Sequence, residues 1–350
     1  MINYLIVTSE FKFSGPNNVI NSLINGCDDN SNFYITALRK KYDDAYISEL
    51  DLDEGNIYFQ KRNNSLLHLF FLIKTLRPKI VNTHGIRADI FVFLLSFFFN
   101  FKQVSTIHNL PNEDYIMRYG NRIGMIMLKL HSIVFRSPRV RKIAVSIYSR
   151  DNLIKNLSAT NVDYIYNGVD SNKFKPSDTI SNGLLPRNNR KKVLFCGHLS
   201  DIKNPLIFVK SAYVNTDIDY ILLGSGPLDN CIKRFHRDNI YLMGRVNNVV
   251  DYLNQIDLFV MPSKTEGMPM AFIEAMLMNL PIVCSDIPIF EELSSIPGLS
   301  AKLFKKNDIN DLSEKIRISL EFRNVQNRAI ALEKFSASVM AKQYLDIFNE

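Results

Sequence analysis

The chain has 350 residues, 46% of them apolar, and its 42 Lys and Arg against 35 Asp and Glu give a net charge of +7. This length is typical of about two domains, and the apolar fraction is ordinary for a globular protein. The longest mainly apolar stretch, residues 90–99, is shorter than the roughly 20 residues of a membrane span, which indicates a core helix or an interfacial patch instead.

The first half of the chain alternates strand and helix patterns. Its first seven residues predict a strand and not a signal peptide, because a basic leading region and a cleavage site are missing. Strands are predicted near residues 4–8, 33–37, 79–82, 104–107 and 142–145, and helices near residues 17–25, 65–75, 88–98 and 115–135.

The second half repeats this alternation more regularly. Regular alternation of strands and helices predicts parallel, doubly wound sheets. Strands are predicted near residues 192–196, 219–223, 240–243, 257–260, 281–284 and 301–304, and helices begin near Asn204, Pro227, Val249, Pro269, Ile289 and Asp308.

The domain boundaries follow from composition. The polar, turn-rich segment at residues 176–190 is predicted to be the linker between two domains. We therefore predict an α/β protein with Rossmann-like domains at residues 1–175 and 191–330. A C-terminal helix at residues 331–350 is expected to pack back on the first domain. Ligands of such sheets bind beyond the carboxyl ends of the strands, so the cleft between the domains is the expected site.

The four cysteines, Cys27, Cys196, Cys231 and Cys284, form no Cys-x-x-Cys pair. Cys196 and Cys284 fall within predicted core strands. Free thiols in a cytosolic protein are therefore favoured over disulfides and over a metal site.

Positive charge is concentrated in the first half of the chain. Residues 1–175 hold 22 Lys and Arg against 15 Asp and Glu, whereas residues 176–350 hold 20 of each. Within residues 115–155, nine basic residues and one acidic residue alternate with apolar ones. A basic amphipathic helix favours an anionic membrane surface as a partner, and a solvated helix face over a core is the alternative. Nucleic acid is disfavoured because no aromatic stacking motif accompanies the charge.

Two glutamates, Glu266 and Glu274, mark the most informative segment. Glu266 lies in the turn after a buried apolar strand. Pro269 suits the first position of the next helix because its missing N–H has no partner there, and free amides at a helix start favour an anion. Glu274 is the only acid on this apolar helix, and a buried carboxylate is expected to have an ion pair or hydrogen bond. This segment suits a ligand that carries phosphate and hydroxyl groups.

Several further loops follow predicted strands. Lys203 is expected to open a helix, where its charge could neutralise a diphosphate. Gly224 and Gly226 form a glycine turn between a strand and a helix, which is a weak signal alone. His108 follows one first-domain strand, and His84 ends another and is a second candidate to line the cleft.

In their order and spacing, these motifs resemble glycosyltransferase family 4. That family has the GT-B fold, in which two doubly wound Rossmann-like domains face a central cleft. The resemblance covers nearly the whole chain and is strongest from residue 167 to residue 292. It implies a retaining enzyme that takes a nucleotide-sugar donor, expected to be UDP-linked, and that needs no metal ion or other cofactor.

The resemblance also implies a role for each matching residue. His108, Glu266 and Lys203 would be the catalytic residues. Glu274 would bind the ribose hydroxyls of the nucleotide, Glu266 the donor sugar, and Lys203 the diphosphate. The further donor-binding candidates are Gly15 in the first glycine loop, His198, Gly224, Gly226, Gly267 and Met268.

Two positions depart from the family pattern. His198 stands where the family commonly has arginine, so diphosphate binding would be weaker or dependent on pH. The first glycine loop has Gly15 beside Pro16 where two glycines are usual. First-domain acids such as Glu54 match no family motif, so the resemblance gives no acceptor-binding residues.

The resemblance and the basic first domain predict a hexosyltransferase at the inner face of the cell membrane. The expected acceptor is a lipid-linked saccharide of O-antigen (lipopolysaccharide) or capsule synthesis. One alternative is a nucleotide-sugar epimerase of the same fold, which needs no acceptor. Another is a non-catalytic nucleotide-sugar-binding subunit. A nicotinamide dehydrogenase is disfavoured because no Gly-x-Gly-x-x-Gly follows the first strand.

Overall fold

Two compact units divide the chain. A computed structural model describes residues 3–29, 32–40, 42–60, 64–177, 183–322 and 325–350. One unit comprises Met1–Asp170 together with Ala337–Glu350, and the other comprises Ser171–Ser336.

The described part of the first unit contains a parallel sheet of seven strands in the order β3-β2-β1-β4-β5-β6-β7. The central strands are buried along nearly their whole length, as expected of a parallel sheet covered on both faces. The strands are β1 (Tyr4–Thr8), β2 (Phe33–Ala37), β3 (Ile57–Tyr58), β4 (Ile80–His84), β5 (Lys102–Ile107), β6 (Val140–Ala144) and β7 (Val162–Tyr164). The helices are α1 (Gly15–Asn25), α2 (Asp44–Ile47), α3 (Ser65–Leu76), α4 (Ile86–Leu95), α5 (Pro111–Arg136) and α6 (Ile147–Leu157).

The described part of the second unit contains a parallel sheet of six strands in the order β10-β9-β8-β11-β12-β13. The strands are β8 (Lys191–Cys196), β9 (Ile218–Leu223), β10 (Ile240–Gly244), β11 (Leu258–Met261), β12 (Ile282–Ser285) and β13 (Ala301–Phe304). The helices are α7 (Pro205–Ser211), α8 (Asp229–Ile232), α9 (Val249–Leu253), α10 (Met270–Leu277), α11 (Pro288–Ser294), α12 (Ile309–Leu320) and α13 (Asn327–Lys334).

The predicted doubly wound α/β fold is confirmed in both units, because the strands pair in parallel and helices connect most of them. Strands β1, β2 and β13 have the predicted bounds. Strands β3 and β7, which lie at the two edges of the first sheet, are absent from the strands predicted from the sequence. They have two and three residues, too few to show an alternating pattern. The prediction of free thiols agrees with the structure, in which all four cysteines are unpaired.

The C-terminal helix α14 (Ala337–Asn349) belongs to the first unit. It packs closely on α1, where a Cβ at Gly26 would lie 2.4 Å from the carbonyl oxygen of Ala337. The polar segment at residues 176–190 lies in the second unit, after the division that follows Asp170. Residues 178–182 of that segment lie outside the described residues.

Helix α5 is interrupted at Gly120, whose φ of 76° and ψ of 168° are not helical. A Cβ at Gly124 would lie 2.6 Å from the carbonyl oxygen of Tyr115, so only glycine lets the second segment pack on the first. The hydroxyl of Tyr115 in the first segment also lies within hydrogen-bond distance of His131 in the second, 2.7 Å from its Nδ1 atom. The predicted basic helix is therefore two packed segments.

Candidate active site

In the second unit, the glycine turn after β9 packs against the loop after β8. A Cβ at Gly224 would lie 1.8 Å from the carbonyl oxygen of Gly197, and a Cβ at Gly226 would lie 2.5 Å from that of Leu199. The Leu199 N–H donates to the carbonyl of Ser225 over 3.1 Å. Both glycines are thus required by close backbone approach. They hold in place the loop that carries the exposed His198.

Lys203 and Glu266 form an ion pair in the second unit. Lys203 Nζ lies 2.5 Å from Glu266 Oε1, and the two side chains are 27% and 11% exposed. The loops that carry them are also joined by the Lys264 N–H, which donates to the carbonyl of Ile202 over 2.8 Å. Lys203 precedes α7 and does not open it, because Asn204 adopts a left-handed conformation as the N-cap residue.

Glu274 lies on α10 among apolar residues that are buried. Pro269 is the N-cap residue of this helix and not its first helical residue as predicted. The Glu274 side chain keeps partial access to solvent. Nevertheless, burial raises its pKa to about 7, although the positive charge of Lys173 acts in the opposite direction.

The expectation that Glu274 has a hydrogen-bonded partner in the protein is wrong for the described residues. Its backbone carbonyl accepts the N–H of Met278 over 3.1 Å, but its carboxyl group makes no hydrogen bond or ion pair there. A carboxyl group without a partner in a poorly solvated position is unfavourable unless a ligand completes it. Glu274 is therefore available to a ligand that donates hydrogen bonds.

Cys196, the last residue of β8, lies within electrostatic reach of two of the predicted residues. Burial raises the pKa of the Cys196 thiol to about 12; Glu274 contributes in the same direction, and Lys203 lowers it. Glu274 and Lys203 therefore both lie in the region at the end of β8. We call Lys203, Glu266 and Glu274 the charged cluster.

Gly267 and Met268 connect the charged cluster to the start of α10. Both are buried, and Met268 is 5% exposed. Their predicted contact with the donor through backbone amides stays a prediction.

In the first unit, two histidines stand at the carboxyl ends of neighbouring strands. His84 is the last residue of β4, and His108 directly follows β5. His84 Nδ1 lies 2.7 Å from His108 Nε2, and His84 Nε2 lies 2.7 Å from Asn82 Oδ1. His84 is buried, whereas His108 is partly exposed. The parallel register of β4 and β5 thus brings the two imidazoles into contact.

Both imidazoles of this pair are neutral at physiological pH. Burial lowers the pKa of His108 to about 3. The pKa of His84 is held well below its ordinary value by burial and then by the adjacent His108. A neutral imidazole has one N–H donor and one acceptor nitrogen, so the hydrogen bonds around the pair decide what it offers to a ligand.

Gly15 opens α1 at an exposed position. A Cβ at this position would meet nothing within 4 Å. The preceding loop is fixed by Asn17, whose side chain accepts from Thr8 Oγ1 and donates to the carbonyls of Glu10 and Lys12, each over 2.7 Å. No described residue therefore requires a glycine here, which leaves room for close approach of a ligand.

Three functional candidates were missed in the sequence. Asn82 and Asn17 are buried polar residues that orient neighbouring groups, and Lys173 is close enough to Glu274 to lower its pKa. Asn82 could have been identified from the sequence, because it lies within a predicted buried strand, where a side-chain amide needs hydrogen-bonding partners. Lys173 had none, since its position depends on tertiary structure.

The described residues contain neither a metal-binding cluster nor a membrane-spanning helix. No group of three or more His, Cys, Asp or Glu side chains is placed to hold a metal ion within the described ranges. Within the same ranges, no helix combines the length and the apolar character needed to cross a membrane.

Family models match both units. Residues 55–173 match the model described as Glycosyltransferase Family 4, and residues 190–321 match the one described as Glycosyl transferases group 1. These ranges include the histidine pair and the whole charged cluster. The chain is therefore a glycosyltransferase of the family 4 type with the GT-B fold.

Individual proteins agree with this assignment. O-antigen biosynthesis glycosyltransferase WclY of Escherichia coli is 25% identical over an alignment of 364 positions, which covers 98% of this chain and 97% of WclY. The E. coli UDP-Gal:alpha-D-GlcNAc-diphosphoundecaprenol alpha-1,3-galactosyltransferase is 28% identical over 253 residues, covering 66% of this chain and 64% of its own. The crystal structure of Anabaena Alr3699/HepE in complex with UDP and glucose has a TM-score of 0.84 at 17% identity and covers 100% of both chains. The chain is an enzyme, a hexosyltransferase.

Proposed function

We propose that this enzyme is a retaining glycosyltransferase that transfers a hexose from a UDP-sugar to a lipid-linked saccharide in O-antigen or capsule synthesis. The observation that carries the proposal is the carboxyl group of Glu274, which has no hydrogen-bonding partner among the described residues. Glu274 and Lys203, which forms an ion pair with Glu266, both act on the pKa of Cys196. A nucleotide sugar offers hydroxyl groups and a diphosphate, which complement a carboxylate and a lysine respectively.

With a nucleotide sugar as the donor, each member of the charged cluster has one chemical task. Glu274 accepts hydrogen bonds from the ribose hydroxyls, and Lys203 neutralises the diphosphate, including the charge that develops on it as it leaves. Glu266 orients Lys203 and contacts the sugar. Support comes from the names of relatives, one of which uses UDP-Gal, and from HepE, which was solved with UDP-glucose.

The proposal of retention rests on the family resemblance and on the state of Glu266. A covalent mechanism needs a free carboxylate nucleophile near the reacting carbon, whereas Glu266 is engaged by Lys203 at 2.5 Å. Attack by the acceptor hydroxyl on the face from which the diphosphate leaves needs no such nucleophile. The test is the anomeric configuration of the product by NMR: an inverted product would contradict retention.

A panel of UDP-, GDP- and dTDP-sugars tests the overall function. Each donor is incubated with and without a diphosphate-linked lipid saccharide. Transfer from a UDP-sugar to the lipid is the expected result. Conversion of the donor sugar without an acceptor would favour an epimerase. Binding without any conversion would favour a non-catalytic subunit.

We also propose that the reaction needs no metal ion. Lys203 offers the positive charge that a metal ion would otherwise supply to the diphosphate. We therefore expect transfer to survive an excess of EDTA, measured as the initial rate at saturating donor. Loss of activity that Mg²⁺ or Mn²⁺ restores would contradict this role of Lys203.

The second segment of α5 presents an apolar stripe to solvent. Its exposed residues Ile123, Ile126, Leu130 and Ile133 follow the spacing that places side chains on one face of a helix. Ile123 and Ile126 are 58% and 59% exposed. An exposed apolar stripe on a monomer usually marks an interaction surface.

Basic residues line one edge of this stripe. Arg122, Lys129 and Arg136 are exposed and seven residues apart, so they lie along one side of the helix next to the apolar residues. Arg118, in the first segment, is instead paired with Asp114 at 2.8 Å. None of these three cations forms an ion pair with a described residue, although Arg136 Nε donates to the carbonyl of Leu157 over 3.4 Å. A stripe of apolar side chains flanked by exposed cations fits the interface of an anionic membrane. We propose that this stripe docks the enzyme where its lipid-linked acceptor lies.

A triple variant tests the membrane contact. Replacing Arg122, Lys129 and Arg136 with Gln should weaken binding to anionic vesicles by up to about 3 kcal/mol, at about 1 kcal/mol per charge. Co-sedimentation with vesicles of phosphatidylglycerol and phosphatidylcholine measures this, and activity on a short soluble acceptor should persist. The matched control removes three exposed lysines of the second unit: Lys233, Lys305 and Lys306. Equal binding by both variants would contradict a role for the stripe.

A further inference from the structure

A chain of hydrogen bonds leads from the C-terminal helix to His108 within the first unit. The hydroxyl of Tyr344 on α14 lies 3.1 Å from Thr106 Oγ1. Thr106 Oγ1 accepts from Asn82 Nδ2 over 3.0 Å, and Asn82 Oδ1 lies 2.7 Å from His84 Nε2. His84 Nδ1 then lies 2.7 Å from His108 Nε2. All residues of this chain are buried except His108, which is partly exposed.

The direction of this chain is fixed by Asn82. Its Nδ2 also donates to the carbonyl of Val104 over 3.0 Å, and a carbonyl can only accept. The amide oxygen of Asn82 must therefore face His84, and this oxygen can also only accept. The Nε2 atom of His84 consequently carries a hydrogen and donates it to Asn82.

The state of His108 follows from that of His84. A neutral His84 with its hydrogen on Nε2 has a lone pair on Nδ1. The contact at 2.7 Å is then a hydrogen bond only if His108 Nε2 carries a hydrogen and donates it. His108 Nδ1 is left with a lone pair, and it has no hydrogen-bonding partner in the described part of the chain.

We infer that His84 is a positioning residue, which with Asn82 holds His108 in the Nε2–H tautomer so that His108 Nδ1 accepts a hydrogen bond from a substrate hydroxyl. The inference rests on the proposed function for the identity of that substrate. In this tautomer, Nδ1 cannot donate to a phosphate oxygen. His108 therefore contacts a sugar or acceptor hydroxyl, and the leaving diphosphate is left to other groups such as Lys203.

NMR spectroscopy of the full-length protein tests the tautomer directly. Histidines labelled with ¹⁵N in the ring give different nitrogen shifts for the two tautomers and for the cation. We expect His84 and His108 both to carry hydrogen on Nε2 at pH 7, and each signal is assigned by its loss in a single variant. A His108 found as the Nδ1–H tautomer or as the cation would overturn the inference, whether or not the protein transfers sugar.

Two variants test the positioning role. His84→Phe removes the acceptor that holds His108, so His108 should become a mixture of tautomers. Asn82→Asp places a carboxylate beside His84 Nε2; this favours a charged His84 that donates to His108 and reverses its tautomer. Each should lower kcat by about 10²-fold, the scale of proton-acceptor catalysis, together with the change in the tautomer of His108. The matched control is His68→Phe, which removes another buried histidine of the same unit.

The outcomes separate this inference from the proposed function. If His84→Phe keeps both kcat and the tautomer of His108, the positioning role is wrong. If the wild-type protein shows the expected tautomer but His108→Phe keeps full transfer activity, His108 does not contact the reacting groups. If no nucleotide sugar is a donor at all, the proposed function fails while the tautomer measurement still stands. A change in the ¹⁵N shift of His108 Nδ1 on addition of donor or acceptor identifies which one supplies the hydroxyl; no change with either contradicts the contact.

Discussion

The two units organise their functional groups in opposite ways. In the first unit, His84 and His108 are neutral, and a chain of hydrogen bonds through Asn82 fixes their orientation without any ligand. In the second unit, Lys203 and Glu266 are charged, and the carboxyl group of Glu274 has no hydrogen-bonding partner in the described residues. The orientation of the histidine pair is thus set within the protein, whereas the carboxyl group of Glu274 is left available to a ligand.

Under the proposed function, this difference would correspond to two chemical tasks. A group that contacts a reacting hydroxyl must be held in one protonation state and one orientation before the substrate arrives. A site that binds a diphosphate and a ribose must instead supply charge and unsatisfied acceptors. The carboxyl group of Glu274 lowers the stability of the second unit when no ligand is bound. Such a loss of stability is typical of residues that serve function.

The largest expected effect is a loss of stability when Gly224 in the second unit is replaced by alanine. A Cβ at Gly224 would lie 1.8 Å from the carbonyl of Gly197, and the φ of Gly224 is +134°. Gly224→Ala should therefore destabilise the protein by more than about 3 kcal/mol, the scale of severe backbone and packing conflicts. Thermal unfolding or loss of folded protein on expression measures this.

Gly15→Ala is the matched variant in the first unit. No atom lies within 4 Å of a Cβ at this position, so the stability should stay within about 0.5 kcal/mol of wild type. If the substrate approaches the backbone here, the methyl group should displace it and lower kcat by about 10²-fold. A variant with full activity would show that the open space at Gly15 is not used by the substrate.

The second expected effect is a trade between stability and affinity at Glu274. Glu274→Gln keeps the size of the side chain but removes its charge. Donor binding should weaken by about 1.5–3 kcal/mol, the scale of hydrogen bonds to a charged group. Calorimetry with UDP measures this, and Glu291→Gln at an exposed position is the control.

The same variant should be more stable than wild type at high pH in the absence of ligand. The pKa of Glu274 is raised from 4.5 to about 7 in the folded state, because burial disfavours the charged carboxylate. The stability of the wild-type protein therefore does not suffer from this group below pH 4.5, and it falls as the pH rises through 7 and the buried group becomes charged. Glu274→Gln should thus gain about 1–2 kcal/mol relative to wild type at pH 8, after allowance for partial solvent screening. Equal unfolding temperatures of the two proteins at pH 8 would contradict the burial of this carboxyl group.

The sequence was sufficient for the fold, but not for the partners of the candidate site residues. Strands β1 and β2 could be predicted with their bounds because apolar runs end at turn residues. Glu274 was recognised because a lone acid on an apolar helix is conspicuous. Its missing partner was not predictable, since the sequence does not show which side chains reach it. The contact of His84 with His108 depends on the register of β4 and β5, which no local pattern specifies.

The smallest expected effect concerns His198, the exposed residue in the loop held by Gly224 and Gly226. An arginine presents a planar guanidinium group that can donate two parallel hydrogen bonds to a phosphate, whereas an imidazole cannot. His198→Arg should therefore bind UDP more tightly than wild type, by about 1 kcal/mol or roughly fivefold for an exposed charge. Calorimetry with UDP measures this. His236→Arg, at another exposed histidine of the same unit, controls for the added charge. An affinity for UDP no higher than that of His236→Arg would show that position 198 does not contact the diphosphate.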